Sequence, residues 1–143
     1  METLPNQRIS WDEYALRIAT VASMRSEDPY KKVGACALDF NNRVIGVAYN
    51  GLAPGINVTD TFWANREGRL KYMIHAEANL LSLFERNHCA LLACTLLPCS
   101  SCATLIAAHG IKRVVYKELY KRDQSALDIF DFYNIECVNI TYE

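Results

Sequence analysis

Apolar positions recur at helical spacing near the start of the chain: Trp11, Tyr14, Ala15, Ile18, Ala19 and Ala22 fall on one face of a 3.6-residue period. In front of them Ser10-Trp11-Asp12-Glu13 reads as a capping box, in which Ser10 accepts from a backbone N–H three residues on and Glu13 reaches back to the cap. Together they predict a helix over roughly 10–25, ending near Pro29, which breaks helical bonding. The apolar runs at 33–40 and 43–49 predict two strands joined by an Asn41-Asn42 turn, because asparagine tolerates left-handed backbone angles. The segment 50–71 keeps no period, and a loop of that length in a compact domain is usually functional or mobile.

Helical spacing returns at 75–87, where Ala76, Leu80, Leu81, Leu83 and Phe84 cover much of the circumference and predict a buried helix. A buried strand is predicted at 90–97, then a helix over 100–109 with Gly110 at its C-terminal end. A strand at 112–116, a helix at 122–133 and a strand at 135–142 complete the pattern. Strand–helix–strand alternation in the second half favours parallel pairing with right-handed crossovers. The reading is an α/β chain, a mixed sheet with helices on both faces, forming a single domain over 1–143.

Composition narrows the function. Hydrophobic residues make up 51% and charged residues 22% of the 143, an ordinary globular balance. The net charge of -1 argues against a chain built mainly to grip a nucleic-acid backbone. No apolar run reaches the length of a membrane span, and the N-terminal ten residues lack the apolar core of an export signal, so a cytoplasmic protein is expected. In a reducing compartment the six cysteines favour metal binding or plain burial over disulfides.

Two stretches carry candidate chemistry, "YMIHAEANLL" and "LLPCSSCATLI". Alone, His75-Ala76-Glu77 has a buried, satisfied histidine as its default reading, and Cys99-x-x-Cys102 is equally a redox pair. Read together, they offer one imidazole and two thiolates. Residues three apart share a helix face, and a helix N-terminus favours negative sulfur. That donor set suits tetrahedral Zn²⁺, and three protein ligands leave the fourth position for water, as in catalytic sites. Zinc lowers the pKa of bound water from ~16 to around 7. Glu77 is then placed to move that water's proton without ligating the ion. A redox reading leaves His75 and Glu77 without a task.

His-x-Glu followed by Pro-Cys-x-x-Cys is the signature of zinc-dependent nucleobase deaminases. With "SWDEYALRIA", "RSEDPYKKVGACALDFNNRVIGVAYNG", "HAEANLL" and "TLLPCSSCATLIAAHGIKRVVY", the chain resembles the cytidine/deoxycytidylate deaminase superfamily from about residue 10 to 140. The Arg25-Ser26-x-Asp28-Pro29 and Tyr49-Asn50-Gly51 elements and the opening helix bring it nearer to the deoxycytidylate (dCMP) deaminases within it. The resemblance implies a three-layer α/β/α sandwich with a five-stranded mixed sheet. It implies one catalytic Zn²⁺ held by His75, Cys99 and Cys102, with Glu77 as the proton shuttle. The implied reaction is hydrolysis of dCMP to dUMP, and dCTP is a possible further substrate. It also implies a hexamer, activation by dCTP with Mg²⁺ and inhibition by dTTP, with Tyr49, Asn50 and Gly51 as allosteric candidates.

Substrate contacts are read from residue chemistry. Asn50 offers both donor and acceptor to a base or sugar edge, and equally reads as a turn residue beside Gly51. A monophosphate needs cationic or N–H partners, for which Arg25 and Ser26 are candidates, then Lys31, Lys32, Arg66 and Arg69. Trp63 and Tyr120 are expected to pack rather than stack on a base, and Cys36 and Cys94 to be small buried hydrophobes. His88-Cys89 is read as a loop or interface pair, and His109 as a charge suited to a helix C-terminus. The alternative function is a tRNA adenosine deaminase or another nucleic-acid deaminase with the same zinc chemistry. The near-neutral charge and the two narrower elements argue against it. A zinc-stabilised binding subunit is a third reading, opposed by the retention of Glu77.

Overall fold

The computed structural model describes residues 7–142, so the start of the chain read above for an export signal lies largely outside the described residues. Helix α1 spans Trp11–Ser23, with Ser10 Oγ accepting from Glu13 N at 3.1 Å. The Glu13 carboxylate takes Arg17 Nε at 2.8 Å. Ala15, Leu16, Ala19 and Ala22 form its buried face. The helix stops well short of Pro29, because successive backbone N–H groups from Met24 to Ser26 close tight turns back onto Val21, Ala22 and Ser23.

Strands β1 (Gly34–Asp39) and β2 (Val44–Tyr49) form an antiparallel hairpin, with Ala35 opposite Ala48. Asn42 takes the expected left-handed conformation, φ 61°, while the Asp39 carboxylate accepts from the N–H groups of Asn41 and Arg43. β1 also pairs antiparallel with β3 (Cys89–Leu96). β4 (Arg113–Glu118) runs parallel to β3, and β5 (Glu136–Asn139) parallel to β4. Among the described residues the sheet therefore has five strands, in the order β2-β1-β3-β4-β5.

Side chains of the central strands alternate between two cores, as a period of two requires. Cys36, Leu38, Leu91, Ala93 and Val115 meet α1 on one face. Ala35, Ala37, Leu92, Cys94 and Val114 meet the other face's helices, α3 (Ala76–Leu81), α4 (Ser100–Ala108) and α5 (Ser125–Phe132). This is the three-layer α/β/α sandwich the resemblance implies. Cys36 and Cys94 are fully buried on opposite faces, each as a small core hydrophobe.

α1 lies unusually close to β1. A Cβ built on Gly34 would stand 1.8 Å from the Ala19 carbonyl oxygen and 2.6 Å from Ser23 N, both backbone atoms that cannot swing aside. Gly34→Ala is therefore expected to lower stability by about 1–3 kcal/mol, the range for overpacking. A denaturant titration checks this, and an unchanged midpoint would mean that the contact is absent in solution.

Several elements differ from their predicted extents. The segment 50–71 contains a short helix α2 (Asp60–Ala64) and a 3₁₀ turn (Gly68–Lys71). The helix predicted at 75–87 ends at Leu81, and Leu83 is exposed. Leu83 N closes a tight turn onto Leu80 O, and the chain then docks on the end of α4. There Phe84 O meets His109 Nε2 at 3.0 Å, and Asn87 N donates to His109 O at 2.9 Å. Asn87 at φ 69° and Gly110 at φ 82° complete the exchange, so tertiary bonding replaces the next helical turn. His109 is the C-cap of α4, as its predicted place at the helix end requires. His88 and Cys89 do not act as a pair: Cys89 opens β3 and is buried, whereas His88 is exposed beside Glu85. The helix predicted at 122–133 begins at Ser125, and the last strand is shorter than 135–142.

Candidate metal centre and its cavity

Parallel strands β3 and β4 end on the same side of the sheet, where the loops of an open α/β sheet gather ligands. The turn Leu97-Pro98-Cys99 leaves β3, and residues 119–124 leave β4. His75 reaches the same place from outside the sheet. It is the N-cap of α3, held by backbone pairing of the preceding Ile74 with Gly51, N–H to O at 2.8 and 3.1 Å. Cys99 is the N-cap of α4, and Cys102 lies in its first turn.

The three expected ligands come together. His75 Nδ1 is 3.3 Å from Cys102 Sγ and 3.5 Å from Cys99 Sγ, and all three donor atoms lie within 4.8 Å of one another. Tetrahedral zinc, with bonds of about 2.3 Å to sulfur and 2.0–2.1 Å to nitrogen, separates such atoms by roughly 3.6 Å. The donor set and its spacing fit a zinc ion with little adjustment. The charges suit it too. A hydrogen bond with Cys102, helped by His75, holds the Cys99 thiol down to about 4. The same bond raises Cys102, and Cys99 raises His75. A cation entering this cluster releases the shared protons.

Glu77 follows His75 on the first turn of α3 and is only 4% exposed. Burial pushes its carboxyl up to about 7, against the opposing pull of its own backbone N–H and of His75. A cavity of about 390 Å³ opens on His75, Glu77 and Cys99. Val33, Met73, Ala76, Leu96 and Leu97 supply its apolar lining. Asp28, Tyr30, Asn50, Glu118, Tyr120 and the cations Lys31, Arg66, Arg69, Lys121 and Arg122 supply its polar lining, with Lys31 Nζ donating to Glu118 Oε2 at 2.8 Å.

The remaining sequence candidates separate sharply. Asn50 lines the cavity, but its amide is already engaged: Oδ1 accepts from Val33 N at 2.9 Å and Nδ2 donates to Lys31 O at 3.0 Å. One lone pair and one N–H remain for a ligand. Tyr49 lies beside it with its carbonyl bonded to Asn79 Nδ2, and Gly51 is occupied in pairing with Ile74. Arg25 and Ser26 do not line the cavity. Arg25 is exposed, and the buried Ser26 hydroxyl donates to Asn50 O while accepting from Asp28 N. Lys32 turns to Ser26 O. The tight turns at the end of α1 aim this stretch under the loop rather than into the opening.

Arg69 is in the wall and is itself buried. Its Nε donates to Asp28 Oδ1 at 3.1 Å, and its guanidinium lies 4.5 Å from the centre of the Tyr30 ring. Arg66 faces the same ring at 5.1 Å, and the Tyr30 hydroxyl donates to Trp63 O. The aperiodic 50–71 segment is thereby packed as one wall of the cavity. Trp63 stacks edge-on against Phe62 at 5.0 Å and packs outside the cavity, whereas Tyr120 lines it. Sequence reasoning passed over Asp28, Tyr30, Lys121 and Arg122. For the last two a signal existed: they follow Tyr120 directly after the carboxyl end of a parallel strand.

The family profile described as "Cytidine and deoxycytidylate deaminase zinc-binding region" matches residues 9–118. The deoxycytidylate deaminase of Mycobacterium phage D29 is 39% identical over 123 residues, covering 76% of this chain and 95% of the phage protein. The human deoxycytidylate deaminase is 32% identical over 117 residues, 76% of this chain and 65% of the human one. The chain thus spans just under two thirds of the length of its human, mouse and orangutan relatives. Among solved structures, the dCMP deaminase of cyanophage S-TIM5 in complex with dCMP and dUMP superposes with a TM-score of 0.75 at 24% identity, covering 90% of this chain and 95% of that one. That likeness concerns the fold.

Proposed function

This chain belongs to the cytidine and deoxycytidylate deaminase family, and on that premise we propose that it is a zinc-dependent dCMP deaminase, a hydrolase that converts dCMP to dUMP and ammonia. The observation that carries the reading is the convergence of His75, Cys99 and Cys102 within 4.8 Å, with buried Glu77 on the same cavity. His75, Cys99 and Cys102 hold the ion, which when bound supplies the Lewis acidity that makes a water nucleophilic near neutral pH. Glu77 takes one proton of the attacking water and gives it to N3 of the cytosine, then takes the second proton, from the hydroxyl now on C4, and passes it to the departing amine, so that ammonia leaves as the C4 carbonyl forms. Its burial raises the carboxyl above its ordinary value, against the pull of neighbouring positive charge, which suits a group that both accepts and donates a proton. The apolar lining keeps bulk water from the ring. Asn50 offers its remaining lone pair and N–H to the nucleoside. Lys31, Arg66, Lys121 and Arg122 serve the 5′-phosphate in place of Arg25 and Ser26.

The finer features of the reading rest on the family resemblance. They are a hexamer, activation by dCTP with Mg²⁺, inhibition by dTTP through Tyr49-Asn50-Gly51, and a place for dCTP as a second substrate; a cytoplasmic, single-domain chain rests instead on length and apolar pattern. No helix among the described residues is long and apolar enough to cross a membrane. The deciding experiment measures ammonia release from dCMP, dCTP, CMP, deoxycytidine and a tRNA anticodon loop, each with and without dCTP/Mg²⁺ or dTTP. Turnover of dCMP supports the reading; turnover of the tRNA alone overturns it.

The cationic rim makes a separate prediction. Lys121→Ala combined with Arg122→Ala should raise KM for dCMP at least about tenfold, since hydrogen bonds to charged groups are worth roughly 1.5–3 kcal/mol each. The same pair should leave any turnover of deoxycytidine, which has no phosphate, unchanged. Equal losses on both substrates would remove these residues from the phosphate role.

A further inference from the structure

α4 begins at a metal ligand, and this has a cost for the helix. An N-cap side chain ordinarily satisfies one of the free N–H groups of the first turn. Here the N-cap is Cys99, whose side chain makes no such bond and lies 3.5 Å from His75 Nδ1. A cap side chain reaches only the N–H of the second or third residue; that of Ser100, the first residue of α4, is taken by Asp123 Oδ2 at 2.9 Å. α5 has the same need: its N-cap, Gln124, makes no side-chain cap bond, and Asp123 Oδ1 accepts from Ser125 N at 3.0 Å. One carboxylate thus caps two helices, one oxygen to each. Asp123 also directly follows Tyr120, Lys121 and Arg122, which line the cavity.

We propose that Asp123 is a positioning residue: it fixes the Cys99–Ser100 peptide at the metal centre and sets the 120–122 loop at a defined distance from it. Both ends of the substrate site are then registered through one side chain that touches neither metal nor substrate. The part concerning substrate rests on the dCMP reading above; the part concerning the metal does not. The four N–H dipoles and the macrodipole of α4 favour an anion here, and no other residue of the loop is shown bonding to that helix start.

The test uses the zinc-loaded enzyme with Asp123→Ala and Asp123→Asn. Zinc release to a chromophoric chelator is followed, together with KM and kcat for dCMP. Asp123→Ala should speed zinc release about tenfold or more, the scale for residues that orient metal ligands, and raise KM with kcat little changed. Asp123→Asn keeps one acceptor oxygen and should fall between the alanine variant and wild type in both readouts, which also covers the case that the alanine variant fails to fold. Wild-type zinc release and KM in a variant whose only change is a lower unfolding midpoint would reduce Asp123 to an ordinary cap and overturn the proposal. In an enzyme active on dCMP, movement of one readout without the other overturns the link between the two ends. If dCMP proves not to be the substrate, zinc release alone decides the metal half.

Discussion

Glu77→Gln is expected to keep the fold and a full complement of zinc while turnover of dCMP falls by about 10²–10⁴, the range for loss of a positioned general acid–base. The substitution is nearly isosteric, and glutamine cannot carry a proton between water and N3. Glu77 is 4% exposed and not among the three clustered metal donors, so metal content should not follow activity down. Stability should not fall either, because the change removes a carboxylate whose ionised form burial already disfavours. Zinc content by elemental analysis and ammonia release on the same preparation give the comparison. A variant deaminating at the wild-type rate would end the shuttle assignment. One that loses zinc would show instead that Glu77 supports the ion.

The clustering of the candidate metal donors His75, Cys99 and Cys102 was legible in the sequence because its constraints are local. Cys99 caps a helix whose first turn holds Cys102, so spacing alone keeps the two close, and His75 needs only to cap a helix that faces them. The parallel order of β3, β4 and β5 followed from alternation with helices. The cavity's polar rim was legible only in part: Asn50, Lys31, Arg66 and Arg69 line it as their chemistry suggests, whereas Arg25, Ser26 and Lys32 do not. Arg25 and Ser26 follow a predicted helix end and looked well placed, yet whether they enter the cavity depends on how tightly the chain turns after Ser23. Arg69 is far in sequence from Asp28 and Tyr30 and meets them through a buried ion pair and a stacked ring. The overlong prediction at 75–87 fails for a related reason. Apolar spacing continues through Phe84, but the bonds from Phe84 and Asn87 to His109 hold that segment in another direction. Asn50 clamps the neighbouring backbone and also lines the cavity, which leaves its contact with a base or sugar edge as a proposal.

Cys99→Ala should abolish activity by a different route, through the metal. It leaves His75 and Cys102, two donors where catalytic zinc sites use three. Zinc stoichiometry is expected to fall from near one per chain to near zero, with dCMP turnover at background. Stability carries an independent signature. A ligand bound only by the native state stabilises it by mass action, so a strong chelator should lower the unfolding midpoint of the wild type and leave that of the variant unmoved. Cys94→Ala is the control. Cys94 is fully buried in the core on the helix-α4 face and is not one of the clustered donors. Removing its sulfur should cost packing while leaving zinc and chelator sensitivity intact. Full zinc content in Cys99→Ala would take Cys99 out of the ligand set. Loss of zinc in Cys94→Ala as well would make metal retention a general consequence of core integrity, and the contrast between the two cysteines decides which holds.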